Sequence, residues 1–213
     1  MRHLAGAVVL LLLGCTAAGA PETASTPAAP AARDSSRLLV PAGYGSLRQE
    51  DIAIRLKVQG IQVQAIPLDE TVIRLLSPDS YRAMRELVSS QGRTLETISR
   101  RTALRSFSLW DVRFHGDEPG ETPFSPMEFI VTSVGRDFRP IDIIPLTAGF
   151  GRQRLQQRAT QRALYVFDPQ VDVNQPLTVQ YETSRSADWT LILPRLERER
   201  ALVRSRAGIQ KPS

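Results

Sequence analysis

Asp51-Ile-Ala-Ile-Arg-Leu-Lys-Val58, followed by Gln59-Gly60 and then Ile61-Gln-Val-Gln-Ala-Ile66, decides the fold class. Ile52, Ile54, Leu56 and Val58 alternate with Asp51, Arg55 and Lys57, so one side of the segment is apolar and the other polar. A period of two is that of a half-buried strand, because successive side chains point to opposite faces of a pleated chain. The second run alternates in the same way across a short Gln-Gly connection, and the pair predicts a β-hairpin.

Working outward, a third short apolar run, Val72 to Leu76, predicts another strand. Ser77-Pro78-Asp79-Ser80 carries a helix start: Ser77 as N-cap, Pro78 at the first position, Asp79 near the positive end of the dipole. Tyr81, Met84, Leu87, Val88, Leu95 and Ile98 then recur at helical spacing, with Gly92 as a candidate break, and predict a helix over about 78–103 whose stripe packs on a core. Strand signals return at Ser106 to Phe114, with Trp110, Val112 and Phe114 on one face. They continue at Met127 to Val134, apolar on both faces as a central strand is, and at Ile141 to Leu146, where Pro140 and Pro145 point to an edge. Leu164 to Phe167, Leu177 to Tyr181 and Trp189 to Leu193 follow, separated by turn sequences such as Asp168-Pro169 and Asn174-Gln175-Pro176. Residues 195–206 are compatible with helix by composition and with a charged last strand, which is the reading adopted. About nine short strands and one inserted helix predict a mainly β fold, a β-sandwich, with an immunoglobulin-like order among the arrangements that fit; an α+β domain is the alternative.

The 213-residue chain carries a formal charge of +5 and is 42% hydrophobic, enough for one ordinary core. Its basic residues are almost all arginine, the only lysines being Lys57 and Lys211. That pattern is the codon bias of a GC-rich genome, or a surface suited to anionic partners, which guanidinium grips in a bidentate manner. Cys15 is the only cysteine, which excludes disulfides and thiolate metal sites from the rest of the chain. Histidine occurs only at His3 and His115, so any Ser-His-Asp arrangement downstream of the leader must use His115.

Residues 1–15 read MRHLAGAVVLLLLGC: one basic residue, then an apolar stretch too short to span a bilayer but suited to a signal peptide. Leu12-Leu13-Gly14-Cys15 resembles the lipobox of bacterial lipoproteins. The resemblance implies diacylglyceryl attachment to the Cys15 sulfur, cleavage between Gly14 and Cys15, and fatty acylation, palmitate included, of the new amino group. It thereby implies a signal peptide over 1–14 and a partner in the membrane, reached through acyl chains on Cys15. Thr16 stands where, in the best-known sorting scheme of two-membrane bacteria, aspartate retains a lipoprotein at the inner membrane; by that analogy the outer membrane is favoured. Residues 15–37 are rich in Ala, Pro, Thr and Ser with no large apolar side chain, and predict a disordered tether. A single β-rich domain is expected over 38–208, with 209–213 as a tail.

No motif in that domain specifies chemistry. His115 lies in His115-Gly-Asp-Glu-Pro-Gly-Glu121, read as a solvated loop. Asp117, Glu118 and Glu121, or Asp168, Asp172 and Asn174, are oxygen-bearing loops without the spacing of an EF-hand, so no metal and no cofactor is assigned. Arg152, Arg154, Arg158 and Arg162 form a candidate anionic-partner patch. The functional expectation is an anchored, non-enzymatic envelope module that binds a protein or the cell wall and no nucleic acid. Recognition of an anionic glycan or lipid through arginines is the alternative, and a hydrolase using His115 is the second alternative.

Overall fold

The computed structural model describes residues 38–209, and Cys15, the expected signal peptide over 1–14 and the expected tether over 15–37 lie outside them. The quoted hairpin forms β1 (Ile54–Val58) and β2 (Ile61–Pro67), antiparallel, with Leu56 opposite Val63. Gly60 makes the connection at φ +70°, a conformation that favours glycine. After it come α1 (Glu70–Ile73), α2 (Pro78–Ser90), α3 (Gly92–Thr102), β3 (Ser108–Gly116) and β4 (Glu121–Pro123). The chain continues through β5 (Phe129–Ser133), β6 (Arg136–Phe138), β7 (Asp142–Pro145), β8 (Arg154–Gln156), β9 (Thr160–Phe167), β10 (Leu177–Tyr181), β11 (Ser184–Ser186) and α4 (Trp189–Ile209).

The fold is mainly β. A five-stranded antiparallel sheet ordered β1-β2-β3-β9-β7 opposes a four-stranded sheet ordered β11-β10-β5-β6, and β4 pairs with β8 in a small third sheet. Inward-facing aromatics join the two large sheets: Phe114 of β3 meets Tyr181 of β10 with ring centroids 5.3 Å apart, and Phe129 of β5 meets Tyr165 of β9 at the same separation. Tyr165 donates to the Pro126 carbonyl at 3.0 Å, and the Tyr181 oxygen accepts from the Ser125 N–H at 2.9 Å. Both large polar rings therefore enter the core with their hydroxyls satisfied. Trp110, Val112 and Phe114 do share a buried face, β5 is an inner strand, and β7 is an edge strand.

Three expectations need correction. The helix over 78–103 is two helices: α2 ends at Ser90, with Gln91 as its C-cap, and α3 begins at Gly92, the candidate break. Val72 to Leu76 is not a strand. Asp69 accepts from the Thr71 N–H at 2.8 Å and caps the single turn α1, and only Leu76 bridges, to Leu47. A run this short, apolar but for the half-buried Arg74, has no period by which helix and strand can be told apart.

The largest departure is the C-terminal segment. Trp189 to Leu193 and 195–206 are neither two strands nor a charged last strand but one helix, α4. Its inner face carries Trp189, Ile192, Leu196, Glu199, Arg200 and Val203, at helical spacing. Two charged residues in the middle of that face hide its apolar period. Pro194, tolerated within the helix, resembles a strand end in the sequence. The buried charges have partners. Arg200 donates to the carbonyls of Leu38 and Thr71, each at 3.1 Å, and also to Glu197. Glu199 accepts from the Ser46 N–H at 2.8 Å and from Arg206 at 2.7 Å, while Arg206 also donates to the Tyr44 carbonyl at 2.7 Å. These bonds strap residues 38–46 onto α4.

Candidate functional site

The outer face of the five-stranded sheet is where polar side chains gather in register. Arg55 of β1 lies opposite Gln64 of β2, Gln64 opposite Arg113 of β3, and Arg113 opposite Arg162 of β9. One step along the strands, Lys57, Gln62, His115 and Thr160 are aligned in the same way. With strands about 4.8 Å apart, each row crosses the sheet over about 14 Å, and the rows lie about 7 Å apart. The alternation that buries Ile54, Leu56, Ile61 and Val63 is what places these residues on the opposite side.

Beneath the first row lies Asp111, fully buried yet on the same outward side of β3. Arg162 donates to it from Nε at 2.6 Å and from Nη2 at 2.9 Å, and Arg113 from Nη2 at 2.7 Å and from Nε at 3.0 Å. Gln49 accepts a further bond from Arg113 at 3.1 Å. One carboxylate is thus held by two planar forks, whose side chains remain 25% and 30% exposed. A buried charge needs both opposite charge and directed hydrogen bonds, and Asp111 has both. The arrangement fixes both guanidiniums in place.

Two clefts open on either side of Arg113. One, of about 400 Å³, is lined by Glu50, Arg55, Gln62, Gln64, His115 and Thr160 with Arg113. The other, of about 410 Å³, runs under α2, where Met84, Leu87 and Glu86 face Arg113 and Arg162. Glu50 and Glu86 on the rims offset part of the positive charge, so the face offers directed donors and not a broad positive field.

The arginine patch read from the sequence is distributed over different settings. Arg162 belongs to the face just described. Arg154, on β8, pairs with Glu121 of β4 at 3.2 Å. Arg152 ends a 3-10 turn, and Arg158 occupies the exposed turn before β9 at φ +63°. His115 is not on a loop: it belongs to β3, and its Nδ1 lies 3.0 Å from the Thr160 hydroxyl. Its Nε2 is 3.7 Å from Asp117, so Thr160, His115 and Asp117 follow the order of a nucleophile–base–carboxylate relay. That last gap exceeds hydrogen-bonding distance, and the row is open to water on a sheet face, which suits binding better than acyl transfer.

The acidic loops serve the local fold. Asp117 lies 3.9 Å from Lys57, Asp168 accepts from the Gln170 N–H at 2.8 Å, and Asp172 accepts from the Asn174 N–H at 3.0 Å. Among the described residues no three of His, Cys, Asp and Glu converge as a metal site requires. Arg55, Gln62, Gln64, Asp111 and Arg113 were not singled out from the sequence. Their signal was the polar half of each strand's alternation, which names a face only once the register is known. No protein-family model matches this sequence, and neither a curated protein nor a solved structure is found to be similar to it.

Proposed function

We propose that this chain is a bacterial lipoprotein, anchored through acyl chains on Cys15, whose β-sandwich is a non-enzymatic docking module of the cell envelope. The observation that carries the reading is Leu12-Leu13-Gly14-Cys15 at the end of a short apolar run, followed by an Ala/Pro/Thr/Ser-rich spacer. Two or three acyl chains give a lasting hold, since each buried methylene contributes about 0.8 kcal/mol. A spacer of about 20 residues reaches about 60–70 Å when extended, enough to carry the body clear of the headgroups. Thr16, in place of a retaining aspartate, favours the outer membrane. Held there, the sandwich meets an envelope protein or the cell wall at a raised local concentration.

Mass spectrometry of the mature product tests the anchor. The expected N-terminus is Cys15 bearing a diacylglyceryl group, and Cys15→Ser moves the protein out of the membrane fraction. An unmodified Cys15 thiol overturns the reading. Crosslinking in intact envelopes, with Cys15→Ser as control, tests the docking role; a reproducible partner lost in the control is the expected result.

A further inference from the structure

We infer that the two registered rows on the outer face of the five-stranded sheet are a binding site for an acidic polysaccharide, with the acid groups on Arg55, Arg113 and Arg162 and the hydroxyls on Gln62, Gln64, His115 and Thr160. The inference deepens the docking role proposed above by naming a ligand class and a face for it.

The chemistry differs between the rows. Three of the four residues in the first row are guanidiniums, which only donate. Arg55 presents a fork that matches carboxylate oxygens, while Arg113 and Arg162, whose Nε and Nη2 are on Asp111, offer their outer Nη1 groups. Arg113 and Arg162 are already oriented by Asp111, each through Nε and Nη2, so binding does not bear the cost of ordering them. Arg55 makes one weak bond, to the Glu50 carbonyl at 3.3 Å, and is exposed. Three of the four residues in the second row, Gln62, His115 and Thr160, both donate and accept, and Gln64 adds an amide to the first row. A sugar hydroxyl is itself a donor and an acceptor, so it satisfies such groups, whereas the internal phosphates of a polyphosphate only accept.

The spacing fits the same ligand. Side chains repeat across the sheet at the strand separation, about 4.8 Å, close to the advance of one hexose in an extended chain. A polysaccharide lying across β1, β2, β3 and β9 meets one polar side chain of each row per sugar. Glu50 and Glu86 at the rims disfavour a polymer whose charges follow one another more closely than the strands do, as those of polyphosphate do. The observations therefore favour an acidic glycan over polyphosphate or an anionic bilayer.

The test uses the full-length lipidated protein in a neutral detergent, with polygalacturonate as probe. Dextran, polyphosphate and phosphatidylglycerol vesicles serve as comparisons. Salt-sensitive binding of polygalacturonate is expected, lost by about tenfold or more in Arg55→Ala/Gln64→Ala, whose side chains do not touch Asp111. Arg113→Lys is expected to weaken binding as well, because an ammonium lacks the planar edge by which Asp111 orients the guanidinium and leaves its outer nitrogen for a ligand. Arg152→Ala/Arg154→Ala/Arg158→Ala should bind as the parent does. Absence of binding, equal retention of dextran, tighter retention of polyphosphate or vesicles, or indifference to Arg55→Ala/Gln64→Ala each overturns the inference. Because the anchor is read separately by mass at Cys15, loss of this site and loss of the lipoprotein reading are distinguishable.

Discussion

Arg162 holds Asp111 through two parallel donors, Nε to Oδ1 at 2.6 Å and Nη2 to Oδ2 at 2.9 Å, across neighbouring strands β9 and β3. Arg113 closes on the same carboxylate from its own strand, two residues along. The triad links the interior of the sheet to the face proposed to bind, so its removal should be visible in stability and in binding.

Asp111→Ala is expected to cost roughly 2–3 kcal/mol in urea unfolding, less than a fully buried pair because both guanidiniums reach water and rehydrate. Asp111→Asn, whose amide oxygen still accepts, should cost less. Replacing both Arg113 and Arg162 with Met leaves the carboxylate alone in a site without exposure, and should destabilise at least as much as Asp111→Ala. Equal stability of all three variants would contradict a buried triad.

Trp189 donates from Nε1 to the Val173 carbonyl at 2.8 Å, and its ring has no exposed surface. Trp189→Phe should cost about 1–3 kcal/mol, chiefly by leaving that carbonyl unpaired, and Trp189→Ala about 3–5 kcal/mol. Thermal unfolding followed by circular dichroism gives both values. A cost under 0.5 kcal/mol for the alanine variant would be inconsistent with α4 being packed at its start.

Two glycines should respond with opposite signs. A Cβ on Gly45 would lie 2.2 Å from the Leu75 carbonyl oxygen, so Gly45→Ala must move backbone and should cost about 2 kcal/mol or more. A Cβ on Gly92 would meet nothing within 4 Å, at the first position of α3. There Gly92→Ala should stabilise by about 0.4–1 kcal/mol, mainly by restricting the unfolded chain. Melting temperatures of the two variants moving in the same direction would contradict this.

Burial pushes the Glu70 carboxyl up, but hydrogen bonds from Arg74 at 2.6 Å and Arg85 at 2.5 Å outweigh it and hold its pKa below the ordinary value of 4.5. A carboxyl with a lowered folded pKa binds its proton more weakly when folded, so its contribution is complete above 4.5 and is lost as pH falls through the folded value. Glu70→Gln should therefore be less stable than the parent at neutral pH, and the difference should vanish at strongly acidic pH. A pH-independent difference would mean that Glu70 acts by packing alone.

How much was legible follows from which signals are local. The β1–β2 hairpin, the Ser77-Pro78 helix start, the inner strand at 129–133 and the edge at 142–145 were readable, because period, capping chemistry and proline placement act within a few residues. The three-residue strands β4, β6, β8 and β11 are too short to carry a period. α4 was obscured because Glu199 and Arg200 lie on its buried side, where they bond to residues about 130 to 160 positions away in sequence. The face proposed to bind was illegible for a related reason. Arg55, Gln64, Arg113 and Arg162 are ordinary polar residues until three separate strand pairings align them. Arg162 alone was included among the candidates, by its nearness in sequence to other arginines.

The bonds from Arg200 to Leu38 and from Arg206 to Tyr44 give the molecule a mechanical property. For a body held by its amino-terminal end, drag or thermal buffeting arrives as tension at Leu38 and passes first into the last helix, leaving the strand ladders to the end. The leash and α4 then form one load path, and a tug would peel residues 38–46 from the helix before it disturbed the sheets. The sheets would be loaded, through β1, only after that contact is lost.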